Sequence, residues 1–320
     1  MFSWLTKRLR REPAVLAFGK VPALAEYLQA GSNDDVAREL QGWLSKAVEW
    51  GATHRAQPWK EALEDSPPLR FVLRSRNPDA VITGVVQSSH DAVGRHFPLA
   101  LAAVVPVKGA GEVSHLAPLA FDQFLAEALA LLPRASGVAS SKELEQLLVS
   151  LRPPSLFEIS EVQERYASWA QQEPVGALLE ALFEPIPASP TATLHTILEA
   201  TSPFRGQEAP PTALSVRLPT DSERPLLPCF WLQVIRAASR WKETVPGYFA
   251  GNNEMLVPLG GLASPSALAD CWAPDDRSKY VCHPTGDTSA YATPFPEELA
   301  ESLASSESTV AEFVQKLGAS

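Results

Sequence analysis

The sequence predicts a mixed α/β chain in which an antiparallel sheet packs against helices. Three observations carry that prediction. Apolar residues alternate or run together in short stretches bounded by turn residues, at 14–18, 69–73, 80–86 and 97–107, which is strand patterning. Between the first two stretches, and again after the last, apolar residues recur at helical spacing. The resulting order of strand, helix, strand, strand, strand, helix is not the regular alternation of a doubly wound parallel sheet.

Ala14 to Phe18 is a short apolar run, broken by Gly19-Lys20-Val21-Pro22. A helix is expected over Asp34 to Trp50, because Val36, Leu40, Trp43, Leu44, Ala47 and Val48 fall on one face. Ser32 or Asn33 is its expected cap, Asp34 and Asp35 suit its positive end, and Gly51 is its expected stop. Past Pro67-Pro68, Leu69, Phe71 and Leu73 alternate with Arg70, Val72 and Arg74, as in a half-buried strand. Ala80 to Val86 and Phe97 to Val107 are the next strands. The short polar connection Ser88 to Arg95 pairs them as antiparallel neighbours. Leu119 to Leu132, bounded by Pro118 and Pro133, closes the unit as an amphipathic helix.

The remainder is denser in proline. Residues 1–150 hold only ten of the 29 prolines, so turns and irregular connections concentrate in the second part. Pro153-Pro154, Pro185 to Pro190 and Ser202 to Pro211 are candidate boundaries. Ser140 and Glu143 form a capping box before Leu144, Leu147, Leu148 and Leu151. Val175, Leu178, Leu179, Leu182 and Phe183 make another apolar face. Ala213 to Leu218 reads as a strand, Phe230 to Trp241 as a helix and Met255 to Leu259 as a strand. Val310, Phe313, Val314 and Leu317 form a last helical face, ended by Gly318. The expected organisation is two domains, an α/β sandwich over 1–135 and a second α/β part over 136–320. The second part repeats strand, helix, strand, so a diverged copy of the first with a helical insertion is one reading of it. The composition shift near Pro153 further predicts that a fragment ending near residue 150 folds alone.

With 45% hydrophobic and 20% charged residues, the 320-residue chain can fill a sizeable core. A net charge of -10 and a pI of about 5.2 repel phosphate, which argues against nucleic acid as a partner. Three cysteines, Cys229, Cys271 and Cys282, are too few for a disulfide framework and fit a reducing compartment. No apolar stretch approaches the roughly 20 residues of a spanning helix, so a soluble, cytoplasmic protein is expected. At Met1 to Arg11, Phe2, Trp4, Leu5 and Leu9 stand among Lys7, Arg8, Arg10 and Arg11. That segment reads as a frayed or docked N-terminal helix. The alternative is weak peripheral membrane contact, as in a membrane-proximal structural component.

Catalytic constellations are scarce. Gly19-Lys20 lacks the flanking residues of a phosphate-binding loop, and no nucleophile elbow, zincin or dinucleotide motif occurs. The enzymatic alternative is a thiol- or metal-dependent hydrolase built on Cys271, Cys282 and His283, with Cys229 as a fourth ligand. No C-x-x-C knuckle supports it, and adjacent residues in an extended chain point apart. No catalytic residue, metal or cofactor is therefore expected, and His90 and His96 read as solvated turn histidines.

Two glycine-containing segments carry unusual polar content beside core strands. They are Phe18-Gly19-Lys20-Val21-Pro22, followed by Glu26-Tyr27, and Ser89 to Leu99. Gly94 permits a tight turn, and Pro98 tolerates only an edge or a strand start. Arg95 can fork onto Asp91 and turn carbonyls, locking the loop, or onto the carboxylate or phosphate of a partner. Lys20, Glu26, Asp91 and Arg95 are the candidate partner-binding residues.

These segments resemble the type VI secretion-associated family called TagF or ImpM. Phe18, Gly19, Lys20 and Pro22 match its opening F-G-K-x-P pattern, with Glu26-Tyr27 where the family usually has Asp-Phe. Ser89, Asp91, Val93, Gly94, Arg95, Phe97, Pro98 and Leu99 match its pattern S-x-D-x-V-G-R-x-[FY]-P-L. Trp43 and Pro68 to Phe71 are similar to the family as well, and the resemblance covers roughly residues 14–135. It implies a sheet between helices of longin or SNARE-like type. It also implies a cytoplasmic accessory protein of a Gram-negative bacterium, without catalytic activity, acting as a post-translational repressor. The partner implied is a forkhead-associated scaffold protein of the secretion apparatus.

Overall fold

A computed structural model describes residues 13–107, 111–154, 159–184, 189–207, 212–221, 224–241, 246–275, 278–282 and 293–319. The basic segment Met1 to Arg11, His283 and the Pro185 end of one candidate boundary lie outside the described residues. The strands are β1 (Ala14–Gly19), β2 (Leu28–Gly31), β3 (Leu69–Arg74), β4 (Ala80–Gln87), β5 (Leu99–Pro106), β6 (Ser215–Pro219), β7 (Tyr248–Ala250), β8 (Glu254–Pro258) and β9 (Val281–Cys282). They form one sheet in the order β2-β1-β5-β4-β3-β7-β8-β6-β9, antiparallel throughout except for β6 beside β9. The predicted pairing of the two apolar strands is present, with Ala80 opposite Pro106 through to Gln87 opposite Leu99.

The helices are α1 (Asp35–His54), α2 (Ala56–Asp65), α3 (Ala117–Ala120), α4 (Asp122–Ser136), α5 (Ser141–Leu148), α6 (Ile159–Gln172), α7 (Val175–Phe183), α8 (Pro190–Thr201), α9 (Leu226–Ser239), α10 (Ser266–Trp272), α11 (Glu297–Ala304) and α12 (Val310–Ala319). Side-chain alternation along the strands divides the apolar residues between two layers. Ala17, Val72, Val81, Val85, Leu101, Ala103 and Val257 face α4, α5, α9 and α12. Leu16, Phe18, Phe71, Ile82, Ala102 and Leu256 face α1, α2 and α10. The sheet is thus sandwiched between helices, as the sequence predicts.

Several local expectations are corrected. Asp34 caps α1, accepting from the Ala37 N–H at 2.9 Å, one residue after Asn33 and two after Ser32. Gly51 does not stop the helix, which continues to His54. A Cβ at Gly51 would lie 2.4 Å from the Trp59 ring, so the glycine lets α2 fold back onto α1. The helix expected from Leu119 begins at Asp122, after the short α3, and runs through Pro133. Pro133 sits exposed in the last turn, where it withholds the N–H that would bond the Leu129 carbonyl, and the helix ends three residues later. Gly318 lies within α12. The capping box is present: Ser140 accepts from the Glu143 N–H, and the Glu143 carboxylate accepts from the Ala139 N–H at 2.8 Å.

The division drawn at 135/136 does not interrupt the sheet. β3 pairs with β7, with Phe71 opposite Phe249, and both apolar layers draw side chains from both sides of that point. Further links cross it. Trp43 stacks on Phe249 at 5.3 Å and donates its indole N–H to the Ala263 carbonyl at 3.0 Å. The Trp272 indole N–H reaches the Pro67 carbonyl at 3.1 Å. Arg55, at the α1–α2 junction, pairs with the buried Asp270 at 2.8 Å and with Asp275 at 3.2 Å. Burial pushes the Asp270 carboxyl above its ordinary range, and the Arg55 hydrogen bond offsets this only in part. The second part does repeat strand, helix, strand, strand, but α9 covers the opposite face from α1.

Candidate functional site

β1 ends at Gly19, β4 ends at Gln87 and β5 begins at Leu99. The registers place these three points at one end of the sheet. The two connections that leave there, 20–27 and 88–98, are therefore neighbours. Gly19 brings them into contact. Its φ is +151°, and a Cβ on it would lie 2.2 Å from the Pro98 carbonyl oxygen. Only glycine fits that approach, so the first motif's glycine lies against the second motif's proline.

Asp91 is the centre of this end. Its carboxylate is buried and accepts four hydrogen bonds. Oδ2 takes the Lys20 ammonium at 2.6 Å and the Arg95 Nε–H at 2.7 Å. Oδ1 takes the backbone N–H groups of Val93 at 3.0 Å and Arg95 at 2.8 Å. Burial pushes this carboxyl up. The hydrogen bonds from Lys20, from the Arg95 backbone and side chain and from Val93 outweigh burial and hold it well below the usual carboxylate range. The second arm of Arg95 donates to the Ala25 carbonyl at 2.5 Å, and the Ala92 N–H donates to the Leu24 carbonyl at 2.9 Å. Ser89 hydroxyl donates to the Lys20 carbonyl at 2.7 Å. Together these bonds fasten the two connections to each other.

Above this buried lock sits an aromatic platform. Tyr27 stacks on Phe18 at 5.4 Å and meets the edge of Phe97 at 4.9 Å, with the Lys20 ammonium 5.0 Å from its centroid. Tyr27 nevertheless remains 51% exposed, and Val93, at the turn made by Gly94 with φ +80°, is 67% exposed. They are two of the four large exposed hydrophobic side chains among the described residues.

The four expected partner-binding residues thus separate into two layers. Lys20 and Asp91 are inside and serve as the mount. Glu26 and Arg95 are exposed, with two of the Arg95 donors already used internally. The sequence reading passed over Tyr27 and Val93, the exposed apolar side chains of this tip. The signal was present, since both are apolar residues placed within polar connections.

The geometry joins the two motifs into one structure, and the comparison with known families decides what it is. Residues 17–151 match the family of the TagF N-terminal domain, type VI secretion system-associated. This part of the chain belongs to the TagF family. The TagF match spans both motifs, α4 and α5, and ends just before Pro153-Pro154. No curated protein matches the chain. Among solved structures, the chain is similar to PA0076 from Pseudomonas aeruginosa PAO1, at 15% identity and a TM-score of 0.46, over 82% of this chain and 96% of that one.

The cysteines outside the TagF-type part are dispersed over α9, α10 and β9. Burial pushes the Cys229 thiol up to about 12 and raises Cys271 and Cys282 as well. Among the described residues no group of three or more His, Cys, Asp or Glu side chains is placed to hold a metal ion. No single helix among them is long and apolar enough to cross a membrane.

Proposed function

We propose that the chain is a non-enzymatic accessory and regulatory protein of type VI secretion, acting in the cytoplasm by occupying a protein partner. Its contact surface is the tip formed by connections 20–27 and 88–98. One observation carries this reading: Tyr27 and Val93 are held out to solvent on a mount whose charges are satisfied internally. A rigid scaffold that presents exposed apolar side chains at a loop tip is suited to recognition. The raised thiols support the non-enzymatic reading, because a nucleophilic cysteine needs its pKa lowered.

The partner of first choice is the forkhead-associated scaffold protein that the family resemblance implies, and the regulatory direction is repression. Val93→Asp and Tyr27→Ser in the full chain test the surface. Each is expected to weaken scaffold binding at least tenfold and to raise secretion in the native host; Val93→Asp should leave the melting temperature unchanged, whereas Tyr27→Ser also loses its ring contacts with Phe18 and Phe97 and should lower it. Unchanged affinity in both variants would move the contact surface elsewhere.

A further inference from the structure

The connection 88–98 carries two histidines that the lock does not use. His90 and His96 form an antiparallel bridge. The flanking bonds run from the Phe97 N–H to the Ser89 carbonyl at 3.0 Å and from the Asp91 N–H to the Arg95 carbonyl at 3.1 Å. His90 and His96 are therefore the closely spaced, non-hydrogen-bonded kind of cross-strand pair, with side chains on the same face. Alternation turns them away from the face that carries Asp91, Arg95 and Phe97. Their ring centroids are 6.1 Å apart and the rings are inclined by 60°. His90 is exposed and His96 half-buried, with Nδ1 of His96 enclosed and without a hydrogen bond. Nε2 is therefore the atom that His96 has left to offer a ligand.

We infer that His90 and His96 form a two-ligand site for a divalent cation of the zinc, nickel and copper class. Metal–imidazole bonds of about 2.0–2.1 Å put the ion roughly 3.2 Å from each ring centroid, so a tetrahedral angle at the metal brings the two centroids to about 5.2 Å. The observed 6.1 Å is about 0.9 Å wider, a gap that rotation of the exposed His90 ring closes. Neutral imidazole suits this class of metal, whereas calcium and magnesium prefer oxygen ligands. Two histidines fill half of a tetrahedral shell, and water completes it. Nδ1 of His96 has no outer-shell acceptor, so the site is exchangeable rather than structural. The bound ion cross-links the two ends of the connection that presents Val93 and Arg95, stiffening the tip without entering the buried lock.

The test uses the full chain without an affinity tag, stripped with chelator and dialysed. Titration with Zn²⁺ or Ni²⁺ is expected to show one site per chain, and the melting temperature should rise with metal concentration. His90→Ala and His96→Ala should each weaken that binding at least tenfold and abolish the thermal shift. His90 is exposed, so its variant should melt like the parent without metal. A parent that neither binds nor shifts, or a shift retained in both variants, would overturn the inference. Scaffold binding by the metal-free chain is measured separately, so a failed metal titration leaves the protein-contact reading standing.

Discussion

Replacing Trp43 by alanine tests whether the two halves of the chain share one core. Trp43 projects from α1, in the TagF-type part, onto Phe249 of β7, far along the sequence. Three contributions are lost. The stacked pair is worth about 0.5–1.5 kcal/mol beyond its area. The indole hydrogen bond to the Ala263 carbonyl contributes about 0.5–1.5 kcal/mol. Partial burial of the ring adds about 1 kcal/mol, since full burial of a large apolar side chain is worth about 1.5–3. The expected loss is about 2–4 kcal/mol, below the 3–5 typical of a fully enclosed tryptophan. Trp43→Phe keeps a stack and loses the hydrogen bond, so it should cost about 1 kcal/mol. Urea unfolding followed by circular dichroism reads both variants. A cycle with Phe249→Leu should return a coupling of about 0.5–1.5 kcal/mol, because the two rings touch. Trp43→Ala unfolding at the parent's midpoint, with zero coupling to Phe249, would refute the packing of β7 against α1.

Other predictions follow from the same geometry. Gly19→Ala forces a Cβ against the Pro98 carbonyl at a positive φ and should cost about 1–3 kcal/mol, read by urea unfolding; a silent substitution would mean that the two motifs do not meet as described. A fragment ending at residue 150 should aggregate or stay molten on size-exclusion chromatography, the reverse of what composition predicts, because it strips β7 from β3 and Phe249 from Trp43. A monomeric, cooperatively folding fragment would restore the two-domain division. Asp91 has a folded-state pKa below its unfolded value of about 3.9, so its stabilisation is present above about pH 4 and is lost as pH falls toward the folded value. Asp91→Asn should therefore flatten the acid limb of melting temperature against pH, and an unchanged limb would count against the lock. Arg95→Lys cannot reach both Asp91 and the Ala25 carbonyl, so it should lower the melting temperature; unchanged melting with weakened scaffold binding would return Arg95 to the contact surface.

Much of the first half was legible because its signals are local. Alternation at Leu69, Phe71 and Leu73 and the helical spacing of Val36, Leu40 and Leu44 each report which face is buried. β2, with four residues and one glycine, carries too short a pattern to read, and β7 is shorter still. β2 depends on Phe18 and Gly19 across the connection 20–27, and β7 depends on Phe71 and Val72, which only the tertiary fold brings near. Gly51 shows the same limit from the other side: a stop signal is overridden by a ring that packs from the next helix. At the site, Asp91 and Arg95 were identified as a pair from their spacing. That Lys20 would lie beneath the surface rather than on it was not readable, because burial of a lysine depends on a carboxylate 71 residues away.

The union of β3 with β7 has a consequence for how the chain is made. Val72 waits for Tyr248, so during synthesis β3 stands as an open edge for the whole interval between them. At about 5–20 residues per second that interval lasts roughly 10–35 s, long enough for an unpaired strand to find a neighbouring nascent chain. The strand carries its own protection in Arg70 and Arg74, cations of the kind that blunt edge-to-edge association. Arg70 is later reused, paired with Asp122 at 3.3 Å once α4 is in place. The same two arginines whose alternation marks β3 as a half-buried strand in the sequence are thus placed to guard its open edge during synthesis, and their neutralisation should show first in the yield of soluble chain.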